Sequence, residues 1–369
     1  MKKKILHIIS SLKIGGAESV LFQLLKHMDT ERFENEVICF HPGPNKEKIE
    51  SLGIKVHVIK GLISLYDPLF LFQLRRLIKK INPDCIHSSL WAANLLSSII
   101  GKDLKVPVIS ALHLGVDKKS QSTVGKFRMF LDSFFVDFPN RVIAVSQEVK
   151  LFHFKKFKID SEKIIVVKNG VNLPEKSTIK SLRSSMRATL GLTDNDFIIG
   201  SVGRLVPGKN FSFLISVFAE FVEKNKNSKL IILGDGPEMQ RLQELVQKTQ
   251  LQGNVLLMGD QEASLFYPAF DCFVMTSFQE GLSMALLEAM SYGLPTCIAC
   301  SDSDHDVIVH KNNGFLFPVD GKTELIELLQ QIMSDVDFKI GDQARRTILE
   351  KFGVSSMARS YETIFDQVI

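Results

Sequence analysis

Short β-branched runs alternate with longer amphipathic ones almost from end to end of this chain, and the pattern then starts again. In the first half, residues 5–10, 36–40, 55–59, 84–88, 106–112, 141–145 and 164–168 have the composition of strands. Helical periodicity fills the gaps: across residues 17–28 it places Val20, Leu21, Leu24 and Leu25 on one side. Residues 197–202, 229–233, 255–258, 272–275 and 296–299 repeat the arrangement. Strands that alternate with helices build a parallel sheet covered on both faces, so the pattern predicts two Rossmann-like α/β domains. A chain of 369 residues suits two. The break falls after Asn169-Gly170-Val171-Asn172, which gives an N-terminal domain over 1–172 and a C-terminal domain over 173–354. A final helix over 355–369 has no strand after it and could pack on either.

With 45% hydrophobic and 23% charged residues, the chain can bury two ordinary cores. No apolar run approaches the roughly 18 residues of a spanning helix. Met1-Lys2-Lys3-Lys4 is followed by only a short apolar stretch, Ile5 to Ile9, too brief for a signal peptide, so a cytoplasmic location is expected. Cys297 and Cys300 form a lone C-x-x-C with no second Cys/His pair at zinc spacing, and no metal site is expected. Residues 1–172 carry a net charge of +11 and the remainder −7, which suggests that the first half faces something anionic. The basic residues are dispersed through helices without a nucleic-acid motif, so DNA or RNA is not the expected partner.

A dinucleotide-binding domain would place G-x-G-x-x-G after its first strand. Here the turn reads Ser10-Ser11-Leu12-Lys13-Ile14-Gly15-Gly16-Ala17-Glu18, which speaks against an NAD oxidoreductase. Adjacent glycines at a helix start let an anion approach the free N–H groups, although they also suit a plain tight turn. In the second half, Gly203-Arg204-Leu205-Val206-Pro207-Gly208-Lys209-Asn210 separates a strand from a helix. Arg204 offers a planar fork and Lys209 a compact charge, both apt for a diphosphate; a solvated loop with two surface cations fits equally. Further on, Glu280-Gly281-Leu282-Ser283 leads into an apolar helix that carries Glu288. A carboxylate among Leu286, Leu287, Ala289 and Met290 needs hydrogen-bond partners, and sugar hydroxyls would serve.

Taken in order, Gly15-Gly16-Ala17-Glu18, the 203–209 loop and two glutamates eight positions apart resemble glycosyltransferase family 4, the glycosyl transferases of group 1. Val145-Ser146, Asn169-Gly170-Val171, Gly234-Asp235-Gly236-Pro237 and the 313–318 segment beginning Asn313-Gly314 extend the match along nearly the whole chain. The resemblance implies a GT-B fold, two Rossmann-like domains facing each other across a cleft, with the last helix crossing back to the first domain. It implies a retaining, metal-independent transferase that needs no cofactor besides a UDP- or GDP-linked sugar as co-substrate. By the same carry-over, Arg204 and Lys209 would hold the diphosphate, Glu288 the ribose and Glu280, with Gly281, Leu282 and Ser283, the transferred sugar. Gly15 and Gly16 would approach the phosphates or the acceptor, and His113, after the strand that ends near Leu112, would lie by the donor sugar. His87, read as standing at another strand end, receives no role. Two departures stand out: the family's Pro-Glu before Asn313-Gly314 is His305-Asp306 here, and its Gly-Phe-Gly is Gly281-Leu282-Ser283.

For the acceptor, two basic-aromatic stretches matter: Tyr66-Asp67-Pro68 with the run to residue 81, including Arg75, Arg76, Lys79 and Lys80, and residues 151–158. Both read as ordinary amphipathic helices or as surfaces for an anionic membrane; with the basic first half they point to a peripheral enzyme at the inner face of the plasma membrane. The expected acceptor is a lipid-linked or envelope glycan, as in polysaccharide or lipopolysaccharide biosynthesis. Competing readings are a non-catalytic nucleotide-sugar-binding subunit, a nucleotide-sugar epimerase and a pyridoxal-dependent phosphorylase.

Overall fold

The structure, a computed structural model, describes residues 2–59, 67–113, 138–278, 280–300, 307–334 and 339–369. Tyr66 and His305-Asp306, singled out above, lie outside the described residues. The chain divides into two compact units: Met1–Gly170 with Val354–Ile369, and Val171–Gly353.

In the first unit, β1 (Lys3–Ser11), β2 (Phe33–His41), β3 (Lys55–Val58), β4 (Cys85–Ser89), β5 (Val108–Leu112), β6 (Arg141–Ala144) and β7 (Ile164–Val166) form a parallel sheet. Their order is β3-β2-β1-β4-β5-β6-β7. Around it run α1 (Gly16–His27), α2 (Pro44–Glu50), α3 (Pro68–Ile81), α4 (Trp91–Leu104) and α5 (Gln147–Phe157). Period-2 alternation decides which layer each strand residue feeds. Leu6, Ile8, Ile86 and Val108 pack with Phe70, Leu74 and Ile78 of α3 and Leu96 of α4. Ile9, Val37 and Cys39 pack with Leu21 and Leu25 of α1. Both faces being covered, β1 reads as a nearly continuous apolar run.

The second unit repeats the plan with β8 (Phe197–Val202), β9 (Ser228–Leu233), β10 (Val255–Leu257), β11 (Cys272–Met275), β12 (Thr296–Cys300) and β13 (Phe315–Pro318). These strands are parallel, in the order β10-β9-β8-β11-β12-β13. Its helices are α6 (Lys176–Thr189), α7 (Phe211–Lys224), α8 (Met239–Lys248), α9 (Ala263–Phe266), α10 (Met284–Ser291), α11 (Lys322–Ser334) and α12 (Lys339–Lys351). One core joins Ile199, Leu230 and Val274 of the sheet to Leu214 and Phe218 of α7 and Leu325 and Leu329 of α11.

Each sheet reverses its winding once, between β1 and β4 and between β8 and β11. In open α/β sheets, ligands bind at the carboxyl ends of the strands on either side of such a reversal. Gly15-Gly16 follows β1, the loop with Arg204 and Lys209 follows β8, and Glu280 follows β11.

The last helix, α13 (Val354–Val368), belongs to the first unit. Its buried Tyr361 and Phe365 meet His7, His87 and Phe33 ring against ring. Asp366 pairs with Lys3 at 2.8 Å and with Arg32, and Glu362 accepts the Asp29 N–H at 2.8 Å. Ion pairs this exposed contribute little, so the apolar seam holds the helix in place. Among the described residues, no helix is long and apolar enough to cross a membrane.

Candidate active site

The loop after β8 closes into a 3-10 turn at Pro207–Lys209, and Asn210 ends that turn in the left-handed region at φ 54°. Across the strand reversal, the segment after β11 is stitched to it. The Thr276 hydroxyl donates toward the Lys209 carbonyl at 2.9 Å and the Asn210 carbonyl at 3.2 Å, and the Phe278 N–H donates to the Gly208 carbonyl at 3.0 Å. This stitching brings together two sequence-predicted side chains: the half-buried Lys209 ammonium is ion-paired with the Glu280 carboxylate. Arg204, on the same loop, is exposed and makes no ion pair with another described residue.

A second turn supports the loop from behind. Leu205 N–H donates to the Asp235 carbonyl and Glu238 N–H to the Leu205 carbonyl, both at 3.0 Å. This approach requires glycine. Gly234 has φ +131°, and a Cβ there would stand 2.0 Å from the Gly203 carbonyl oxygen. At Gly236 a Cβ would stand 2.4 Å from the Leu205 carbonyl oxygen. The Gly234-Asp235-Gly236-Pro237 motif is therefore a buttress for the cationic loop.

Past Glu280 and Gly281, the buried Leu282 and Ser283 lead into α10, where the Ser283 hydroxyl caps the first turn by accepting the Leu286 N–H at 3.5 Å. The N-terminus of α10 thus lies at the strand reversal, where its dipole favours an anion. Glu288, a turn further on, is half-buried rather than solvated, and its Oε2 accepts a hydrogen bond from the Tyr267 hydroxyl at 3.0 Å.

The first unit presents the other predicted residues. Gly15 and Gly16 follow β1 and open α1, with Gly15 extended at φ 179°. The buried Glu18 folds back over Gly15, so that a Cβ on Gly15 would stand 2.4 Å from its Oε2. The Asn45 amide donates to the Lys13 carbonyl at 2.8 Å and holds this turn from the side. His113 directly follows β5; desolvation pushes its pKa down to about 4, so its ring is neutral near pH 7. Its Nε2 is buried without a partner among the described residues.

His87 requires a correction. It lies in the middle of β4, not at its end, and is buried beneath α13. Its Nδ1 is 3.0 Å from Nδ1 of His7, whose Nε2 is 3.0 Å from Asn35 Oδ1. One tautomer assignment satisfies both contacts: His7 donates from Nε2 to Asn35, and His87 donates from Nδ1 to His7. Other family-like motifs prove to be scaffolding. Ser146 caps α5 by accepting the Val149 N–H at 3.1 Å. Asn313 accepts the Val309 N–H at 2.7 Å and donates to the Val307 carbonyl at 2.9 Å.

Sequence reasoning missed Thr276, Tyr267 and the His7–Asn35 contact. None has a linear signature, because each meets its partner from a separate strand or loop.

Two parallel α/β units, each with a glycine-bearing loop after a strand at its reversal, define a two-domain α/β protein of the GT-B type. Residues 14–175 match the profile of Glycosyltransferase Family 4, and residues 183–347 that of Glycosyl transferases group 1. The chain belongs to this family and is a glycosyltransferase. It is 27% identical over 364 residues to the UDP-Gal:alpha-D-GlcNAc-diphosphoundecaprenol alpha-1,3-galactosyltransferase of Escherichia coli, covering 96% of this chain and 94% of that protein. With the alpha-monoglucosyldiacylglycerol synthase of Acholeplasma laidlawii it shares 23% identity, covering 92% of this chain and 90% of that protein. Among solved structures, Anabaena Alr3699/HepE in complex with UDP-glucose superposes with a TM-score of 0.85 at 23% identity, covering 99% of each chain.

Proposed function

We propose that this chain is a retaining, metal-independent hexosyltransferase that moves a sugar from a UDP- or GDP-linked donor to a lipid-linked or other cell-envelope glycan. The observation that carries the donor half is the stitched pair of loops at the β8/β11 reversal, which joins Lys209 to Glu280 on the loop that bears Arg204. Breaking the bond between the anomeric carbon and the diphosphate leaves negative charge on the departing oxygen. Arg204 and Lys209 stabilise that charge in the role a metal ion plays elsewhere, with the α10 N-terminus adding its dipole. An ammonium has three donors, so Lys209 keeps Glu280 while it binds a phosphate oxygen. Glu280, with Gly281, Leu282 and Ser283, receives the sugar, and Glu288 the ribose hydroxyls.

Retention follows from front-face attack: the acceptor oxygen bonds to the anomeric carbon on the side the diphosphate leaves, and the acceptor's proton passes to the departing phosphate oxygen. The rival, double displacement by Glu280, is disfavoured because a carboxylate held by an ammonium is a weaker nucleophile. By family resemblance, Gly15 and Gly16 are assigned to the phosphates or the acceptor, and the neutral His113 to the donor sugar.

The acceptor half rests on two relatives whose names contain a GlcNAc-diphosphoundecaprenol and a monoglucosyldiacylglycerol, and on the surface of the first unit. There Leu69 and Phe72 of α3 are 63% and 60% exposed, beside exposed Arg76, Lys79 and Lys80. Such a face suits peripheral docking at the cytoplasmic side of an anionic membrane.

A thermal-shift panel of UDP, GDP and ADP tests the donor: selective stabilisation by one names it. Arg204→Ala and Lys209→Ala are each expected to lower turnover by ~10²–10³ with little change in melting temperature. Near-normal turnover in both variants removes the leaving-group argument.

A further inference from the structure

Tyr267 is wholly buried, and its hydroxyl meets Glu288, the only carboxylate of α10. It sits in the 3-10 turn Tyr267–Ala269, two residues before β11, and aromatic rings pack around it. Tyr292 stacks on it at 5.3 Å and 29° between planes, and Phe270 and Phe273 pack against it at 6.1 Å. Tyr292 is itself anchored through its hydroxyl, which donates to the Ser264 carbonyl at 3.0 Å. The Tyr267 hydroxyl has two acceptors within reach, Glu288 Oε2 at 3.0 Å and the Ala285 carbonyl at 3.3 Å; the shorter, charged one takes the proton.

A phenol this constrained is an expensive way to fill a core, where phenylalanine would pack as well without a polar group to satisfy. What the hydroxyl adds is the fixed direction of one carboxylate. Glutamate has three rotatable side-chain bonds, and a short hydrogen bond from a ring fixed in the core narrows the orientations they can take. Held at Oε2, the carboxylate of Glu288 presents its remaining lone pairs in one plane, and a carboxylate accepts several hydrogen bonds. The vicinal hydroxyls of a ribose are matched donors for such a plane. Burial and the neighbouring carboxylate keep the phenol well above the usual tyrosine range, so it remains a donor at any working pH.

We propose that Tyr267 is a positioning residue for donor recognition: it locks Glu288 in the orientation that selects the ribose over the 2′-deoxyribose form of the donor nucleotide. This rests on the assignment of Glu288 to the ribose given above. It adds a residue from a different structural element, which acts without touching the nucleotide.

The test measures, by isothermal titration calorimetry on the full chain, the affinity for whichever of UDP, GDP and ADP stabilises the wild type, and for its 2′-deoxy form. Wild type, Tyr267→Phe and Glu288→Gln are compared, with melting temperatures as the control for folding. The expected result is a wild-type preference of about tenfold or more for the ribonucleotide, the order of a well-made hydrogen bond to a charged group. In Tyr267→Phe that preference falls several-fold, through weaker binding of the ribonucleotide alone, and the donor KM rises while kcat is nearly kept. A Tyr267→Phe variant that retains the wild-type preference overturns the proposal, as does one that weakens both nucleotides equally, since a purely structural role predicts that. If Tyr267→Phe fails to fold, Tyr292→Leu serves, because it removes the ring stacked on Tyr267; an unchanged preference there also overturns the proposal. A wild type without ribose preference, or Glu288→Gln with the full preference, refutes the ribose assignment itself.

Discussion

At the scale of single residues, the two buried imidazoles of the first unit make the sharpest prediction. His7 is fully enclosed between β4, Asn35 and α13, and burial lowers its pKa from 6.5 to about 4. His87 is lowered well below its ordinary value by burial, with His7 and His113 adding repulsion. Because the folded value lies below the unfolded one, the unfolded chain takes up the proton first as the solution acidifies. Stability is therefore intact above pH 6.5 and is lost as pH falls toward about 4. At about 1.4 kcal/mol per unit, His7 alone accounts for a loss of roughly 3 kcal/mol. The melting temperature is expected to drop between pH 7.5 and 5, more shallowly in His87→Phe; identical wild-type values at the two pH settings contradict this. The sequence marks neither histidine as a pair, since residues 80 positions apart meet only through strand register. Lys209 and Glu280 each stand out in the sequence through their motifs, but their ion pair does not.

At the scale of elements, most of the architecture was legible. Each strand run found in the sequence became a strand within a few residues, because a two-sided parallel sheet demands consecutive β-branched residues. Helix starts were legible where a cap is local: Asp67 caps α3 by accepting the Leu69 N–H at 2.9 Å, with Pro68 next in line. Which way a helix faces is less local. The inner stripe of α3, Phe70, Leu74 and Ile78, is buried, whereas Leu69 and Phe72 remain outside with Arg76, Lys79 and Lys80. Arg75 is instead drawn to Asp103 at 2.6 Å. If that face docks on membranes, the chain should float with vesicles containing anionic lipid and much less with neutral ones. Leu69→Ser with Phe72→Ser should then lower recovery about tenfold or more, each lost apolar side chain being worth roughly 1.5–3 kcal/mol. Equal recovery with both vesicle types sinks the docking idea.

At the scale of the whole molecule, the first unit is closed by the last stretch of the chain. Phe365 of α13 is fully buried against His7, His87 and Phe33, so the core of the N-terminal sheet is completed more than 350 residues after it begins. Phe365→Ala should cost about 3–5 kcal/mol, as a cavity in a close-packed core does. Denaturant unfolding of the full chain checks it, and a midpoint equal to wild type rules out a packed seam. The alternation of strand and helix, the repetition of that alternation and the glycine and charge motifs at strand ends were determined by the sequence alone, because periodicity and turn chemistry act between near neighbours. The pairing of His7 with His87, the stitching of Thr276 to the cationic loop and the grip of Tyr267 on Glu288 were decided only by tertiary structure. Strand order and register set which distant residues come within 3 Å, and no local pattern encodes that distance.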